Sequence, residues 1–181
     1  VSEQEQTAVA EVTVELADAE ATRAYGAALA ALLAPGDLVV LTGDLGAGKT
    51  TLTQGIGTGL GVRGAVASPT FVIARVHPPL PRADGTTGPA LVHVDAYRLG
   101  SLDEVDALDL DASLEESVTV VEWGGGLVES LADDRLEVAL LRPRGAGAPG
   151  AVEDAEDAAA GVRTVTVRAR GDRWRDVPLP V

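Results

Sequence analysis

The segment Gly43-Asp44-Leu45-Gly46-Ala47-Gly48-Lys49-Thr50 satisfies G-x-x-x-x-G-K-[ST] at every fixed position. It lies between the apolar run Leu38-Val39-Val40-Leu41 and a helical pattern over residues 49–60. That context restricts the chain to folds in which a buried strand feeds a glycine-rich turn and then a helix. Glycines let the main chain curl so that successive N–H groups point inward, and the following helix adds the positive end of its dipole. The result is an anion cradle. An ordinary glycine-rich turn asks for neither Lys-Thr at the helix start nor the strand before it. Gly43, Asp44, Leu45, Gly46, Ala47, Gly48, Lys49, Thr50 and Thr51 are the expected nucleotide-contacting stretch. Lys49 is expected on the β- and γ-phosphates, and the Thr50 hydroxyl as an oxygen ligand to Mg2+.

Composition singles out the same place. Every cationic side chain is arginine except Lys49, the only lysine of the chain. Arginine is a planar fork, whereas lysine is a compact ammonium on a flexible stem, so the exception suits a point charge in a confined space.

The rest of the pattern supplies a sheet. Val12, Val14 and Leu16 alternate with polar residues, as an edge strand would. Asp18 is placed to cap a helix over residues 19–34, ended by Pro35 and Gly36. Gly61 is placed to stop the helix that starts at Lys49. Further strands are expected over 72–76, 91–94, 118–121 and 136–141, with a surface loop over 77–89 and a short helix over 101–108, where Ser101 and Glu104 fit a capping box. Residues 145–161 are Gly, Ala, Pro and acids with no core-forming period, the signature of a mobile insertion. Residues 164–167 and 174–177 suggest a closing strand or hairpin. Strands alternate with helices early and outnumber them later. The expected fold is therefore α/β: one domain over residues 1–181, with a mixed parallel and antiparallel sheet flanked by helices.

Ligands of open α/β sheets gather at the carboxyl ends of strands. Asp95 closes Leu91-Val92-His93-Val94, and Glu122 closes Val118-Thr119-Val120-Val121, so each acid emerges from an otherwise apolar strand. One is expected to hold the metal and the other to orient water or another part of the nucleotide, and spacing leaves that division open. Lys49, Asp95 and Glu122 form the expected catalytic set. Ser68-Pro69-Thr70-Phe71 follows the first nucleotide-site helix, where phosphate-sensing loops lie, so Thr70 is a further candidate contact. His93, inside an apolar strand, reads as a hydrogen-bonded core histidine.

These residues together resemble the TsaE family, formerly YjeE. The resemblance rests on the phosphate loop, on Ser68-Pro69-Thr70-Phe71, on His93-Val94-Asp95-Ala96-Tyr97-Arg98 and on Val121-Glu122-Trp123, in that order along the chain. It implies a P-loop ATPase of the bacterial cytoplasm that supports formation of threonylcarbamoyladenosine beside the anticodon of tRNA. It also implies TsaD and TsaB as partners, with tRNA met only through their complex. Carried over are Gly46, Gly48, Lys49 and Thr50 for phosphates, Thr50 and Glu122 for magnesium, and Asp95 as second acid. Trp123 is similarly placed to the family's tryptophan, and Gly124-Gly125-Gly126 departs from the residues that often follow it.

The remaining composition narrows the alternatives. Asp plus Glu total 28 against 14 for Lys plus Arg, a formal charge of -14 that would repel a phosphate backbone and excludes a broad nucleic-acid face. With no cysteine there is no thiolate nucleophile and no Cys-ligated zinc. No apolar run approaches the length of about 18 residues needed to span a bilayer, so no membrane association and a cytoplasmic location are expected. A small-molecule kinase using the same phosphate loop stays open as an alternative. A GTP switch is disfavoured because Asn-Lys-x-Asp requires a second lysine.

Overall fold

The computed structural model describes residues 8–67, 74–96, 115–123, 132–143 and 161–181. The expected contact Thr70 with its 68–71 segment, the 101–108 helix, Tyr97, Arg98, Gly124-Gly125-Gly126 and residues 145–160 lie outside them.

Among the described residues seven strands form one sheet: β1 (Ala10–Leu16), β2 (Leu38–Thr42), β3 (Ala74–His77), β4 (Ala90–Asp95), β5 (Ser117–Glu122), β6 (Arg135–Leu141) and β7 (Arg163–Arg170). Two helices among the described residues accompany them, α1 (Ala19–Ala30) and α2 (Lys49–Leu60). The spatial order is β1-β7-β6-β2-β5-β4-β3. The central strands β6, β2, β5 and β4 are parallel, while β7 and β3 run antiparallel to their neighbours, so the expected mixed α/β sheet is what the chain builds. Strand burial follows position. Every residue of β5 is buried, as a covered parallel strand requires, whereas β7 alternates buried and half-buried residues. The expected edge position of β1 holds as well.

One face of the sheet carries the larger core. Val39, Leu41, Leu91, Val120, Val138 and Leu140 pack there with Leu29 of α1 and Leu52 and Ile56 of α2. Leu38, Val40, Val92, Val94 and Val121 point to the opposite face. The two helices lie against each other at Gly26 and Gly55. A Cβ on Gly26 would collide with the Leu52 carbonyl oxygen, and one on Gly55 with the Arg23 carbonyl oxygen, so only glycine permits this approach.

Three sequence expectations are corrected. The first helix stops at Ala30 rather than residue 34, because Leu32 and Leu33 turn back to Leu29 and Ala30 through three-residue bonds and Arg173 takes the Leu32 carbonyl. The strand expected over 72–76 is described from Ala74 and runs on to His77, which is buried rather than part of the loop. Residues 174–177 do not form a strand. Gly171, at φ 88°, breaks β7, and Asp172–Trp174 form one 3-10 turn that drops Trp174 fully into the core. Trp174 and Val177 are three apart, the spacing of a helical turn rather than of a strand.

Candidate active site

The carboxyl ends of β2, β5 and β4 meet the N-terminus of α2. The turn from β2 into α2 uses positive φ at Gly43 (145°), Gly46 (80°) and Gly48 (108°). Gly43 also passes so close to β6 that a Cβ would collide with the Leu140 carbonyl oxygen. Leu45 stands at the exposed tip of the turn, while Ala47 is buried beneath it. Gly48 occupies the N-cap of α2 with no side chain to accept from the first-turn N–H groups. Those donors, which belong to Lys49, Thr50 and Thr51, remain available to an anion at the positive end of the helix. The turn has the curled, glycine-dependent main chain expected from the sequence.

Lys49 is 95% buried, and its Nζ donates to the Gly43 carbonyl at 2.7 Å and the Asp44 carbonyl at 2.9 Å. The same ammonium sits 3.8 Å from the centroid of the Trp123 ring. Burial pushes its pKa below the ordinary value, opposed by the charges of Glu122, Asp95 and Asp44. Trp123 is the one non-glycine residue with positive φ among the described residues, at 62°. Its N–H donates to the Leu41 carbonyl at 3.0 Å and prolongs the contact between β5 and β2.

The two acids come together as the strand ends required. Asp95 and Glu122 are direct partners in the β4–β5 ladder. Because side chains alternate along a strand, Asp95 shares a face with His93 and Leu91, and Glu122 with Val120 and Val118. Leu91, Val118 and Val120 belong to the core beneath α2, so both acids lie on the face that carries that helix. Glu122 is buried, and the Thr50 hydroxyl donates to its Oε1 at 3.0 Å and its Oε2 at 3.3 Å. His93 is fully buried with Nε2 2.8 Å from Glu122 Oε1. Its reading as a bonded core histidine is correct, but its partner is the candidate metal ligand. The signal was available in the spacing: His93 is two residues before Asp95 and so projects on the same face of β4.

Arg163, at the start of β7, reaches the back of the cradle. It is almost fully buried, its Nη1 donates to the Gly161 carbonyl at 2.8 Å, and its Nε lies 3.1 Å from where a Cβ on Gly48 would stand.

Comparison with known proteins identifies the family. The family model "Threonylcarbamoyl adenosine biosynthesis protein TsaE" matches residues 16–146. The chain belongs to the TsaE family. A TsaE of Streptomyces coelicolor, named as a tRNA threonylcarbamoyladenosine biosynthesis protein, is 57% identical over 160 residues, which are 88% of this chain and 97% of that protein. One from Bacillus subtilis, similarly named, is 40% identical over 124 residues, 68% of this chain and 73% of its own length. Among solved structures, Bacillus subtilis YdiB aligns with a TM-score of 0.62 at 32% identity, covering 91% of this chain and 89% of its own. The TsaE match spans the phosphate loop, both acids and the tryptophan, and ends before Arg163. No helix among the described residues is long and apolar enough to cross a membrane.

The donor set also fits a magnesium ion. The Thr50 hydroxyl and the Glu122 carboxylate are hard oxygen donors already in contact. Among the described residues no group of three His, Cys, Asp or Glu could cage a cation. Magnesium is usually held by one or two protein oxygens with phosphates and water completing the shell, which is what such a sparse set allows.

Proposed function

We propose that this chain binds and hydrolyses ATP with magnesium, in the cytoplasm, in support of threonylcarbamoyladenosine formation on tRNA, and that it acts on a complex of TsaD and TsaB. The observation that carries the reading is the meeting of Thr50 with Glu122 at the N-terminus of α2, beside the buried ammonium of Lys49. A glycine-rich turn alone would need neither.

The residues divide the work by chemistry. The first-turn N–H groups of α2 and Lys49 take the phosphate oxygens, Lys49 exchanging the carbonyls of Gly43 and Asp44 for them. Thr50 and Glu122 hold the cation. Magnesium, when bound, supplies positive charge to phosphoryl oxygens as negative charge shifts between them. Asp95, partnered with Glu122 across the ladder, orients the attacking water. Trp123 sets its ring against the ammonium. The chain's charge of -14 suits a protein that works on a tRNA-modifying complex without gripping tRNA itself.

The test is ATP turnover with and without TsaD and TsaB from the same source. The complex is expected to associate with the chain and change its turnover. Lys49→Ala and Thr50→Ala are each expected to lower turnover by on the order of a hundred- to a thousandfold. Wild-type turnover in both variants would overturn the hydrolytic assignment, and absence of association would overturn the assigned partners. A phosphorylated metabolite formed without TsaD and TsaB would point to a kinase instead.

A further inference from the structure

We propose that His93 is a positioning residue for the cation site, fixing the Glu122 carboxylate through a donor that does not itself hold the cation. This rests on the reading of Thr50 and Glu122 as the magnesium-holding pair. Among the described residues Glu122 Oε1 has two donors, His93 Nε2 at 2.8 Å and Thr50 Oγ1 at 3.0 Å, while Oε2 has the longer Thr50 contact at 3.3 Å. The two donors differ in what else they do. The Thr50 hydroxyl must also turn an oxygen lone pair to the cation, so its orientation is shared between two partners. A histidine on a neighbouring strand need not move. His93 is fully buried in β4, and the ladder pairs it with Val120, two residues before Glu122 on the same face of the sheet.

The ring presents a fixed donor. A carboxylate accepts, so Nε2 is the donor of this pair. Nδ1 has no hydrogen-bond partner among the described residues, so the Glu122 contact is the one described hydrogen bond that orients the imidazole. A histidine kept only to satisfy a buried acid would matter equally with and without metal. A positioning residue matters when metal is present.

The experiment compares wild type, His93→Leu and His93→Gln. Leucine fills most of the volume but removes the donor, whereas the glutamine amide restores an N–H at about the reach of Nε2. Nucleotide affinity is measured by calorimetry with a non-hydrolysable ATP analogue in chelator, and Mn2+ affinity of the nucleotide complex by paramagnetic resonance. His93→Leu is expected to keep metal-free nucleotide affinity within about twofold and to lose roughly ten- to a hundredfold in Mn2+ affinity, the range for lost support of a ligand. His93→Gln is expected to recover most of that loss. Unchanged Mn2+ affinity in His93→Leu, with normal nucleotide and Mn2+ binding by wild type, would overturn the positioning role while leaving the ATPase reading intact. Wild type that binds neither nucleotide nor Mn2+ would overturn both. Should His93→Leu not fold, Mn2+ affinity in His93→Asn, whose shorter amide cannot reach Glu122, decides the same comparison: a loss supports the role and wild-type affinity overturns it.

Discussion

The ammonium of Lys49 lies 3.8 Å from the centroid of the Trp123 ring, and Trp123 adopts φ of 62° as it follows Glu122 out of β5. A left-handed conformation at a residue with a side chain costs about 1–2 kcal/mol. A desolvated ammonium over an indole face returns about 2 kcal/mol. The two terms are of the same size, so the ring contact adds no large surplus of its own and can be exchanged for a phosphate contact. Nucleotide that draws Lys49 off the ring is expected to change the emission of Trp123. Trp174, fully buried in the core, supplies a constant background. Titration with ATP analogue should therefore alter the fluorescence of wild type and of Trp174→Phe, and leave that of Trp123→Phe unaltered. A response that survives Trp123→Phe would refute the contact as a reporter.

Gly55 gives a stability prediction. Its missing Cβ is what lets α2 lie on the main chain of α1, since a methyl group there would meet the carbonyl of Arg23. Gly55→Ala would raise intrinsic helix propensity by about 1 kcal/mol. Backbone cannot yield as a flexible side chain does, and overpacking costs typically 1–3 kcal/mol or more. The net expectation is destabilisation by up to about 2 kcal/mol, read as a lower midpoint in urea unfolding. A variant as stable as wild type would show that the helices can separate freely.

Tyr25 predicts a pH dependence. Its hydroxyl donates to the Pro180 carbonyl at 3.0 Å, and burial pushes the phenol from 10.0 up to about 12. Below pH 10 both folded and unfolded chains keep the proton. Between pH 10 and about 12 the unfolded chain loses it first, so the unfolded state is favoured and stability falls as pH rises, by up to roughly 3 kcal/mol. Tyr25→Phe gives up one hydrogen bond, about 1 kcal/mol near neutral pH, and has nothing to ionise. Its deficit relative to wild type should shrink or reverse in urea titrations as pH rises through that window. A constant deficit would count against the burial of the phenol.

Most of the site was legible because its chemistry is local in sequence. The strand, turn and helix around Lys49 follow one another without interruption, and the acids Asp95 and Glu122 are marked by the apolar runs they close. Their meeting needs only that β4 and β5 be adjacent and in register, which the sheet provides. What the sequence hid is contact between distant segments. Arg163 reaches Gly48 because β7 turns back antiparallel to β6, a pairing that no pattern within either strand specifies. The early end of α1 has the same origin, since Arg173 from the far end of the chain takes a carbonyl at residue 32. Trp174 was misread because an apolar pair near a strand suggested another strand, although its spacing from Val177 fits a turn.

The solitary lysine makes the electrostatics of the site measurable residue by residue. Selective labelling of lysine gives one side-chain signal, that of Lys49, and its titration is expected below the ordinary 10.5 because burial outweighs the neighbouring acids. Glu122 is the largest of the opposing charges, ahead of Asp95 and Asp44. Glu122→Gln keeps the shape of the side chain and removes that charge, so the Lys49 midpoint should fall further, and Asp95→Asn should lower it by less. The sign for folding follows. Between the folded midpoint and 10.5 the unfolded chain binds the extra proton, so stability contributed by this group rises with pH there, over a wider window in Glu122→Gln. The same variant should lose on the order of a hundred- to a thousandfold in turnover, with a smaller loss of metal-free nucleotide affinity, because Lys49 and the first turn of α2 still hold the phosphates. A Lys49 midpoint that ignores Glu122→Gln would place the carboxylate too far from the ammonium to share a triphosphate with it, and the assignment of Glu122 would fail together with its expected effect on turnover.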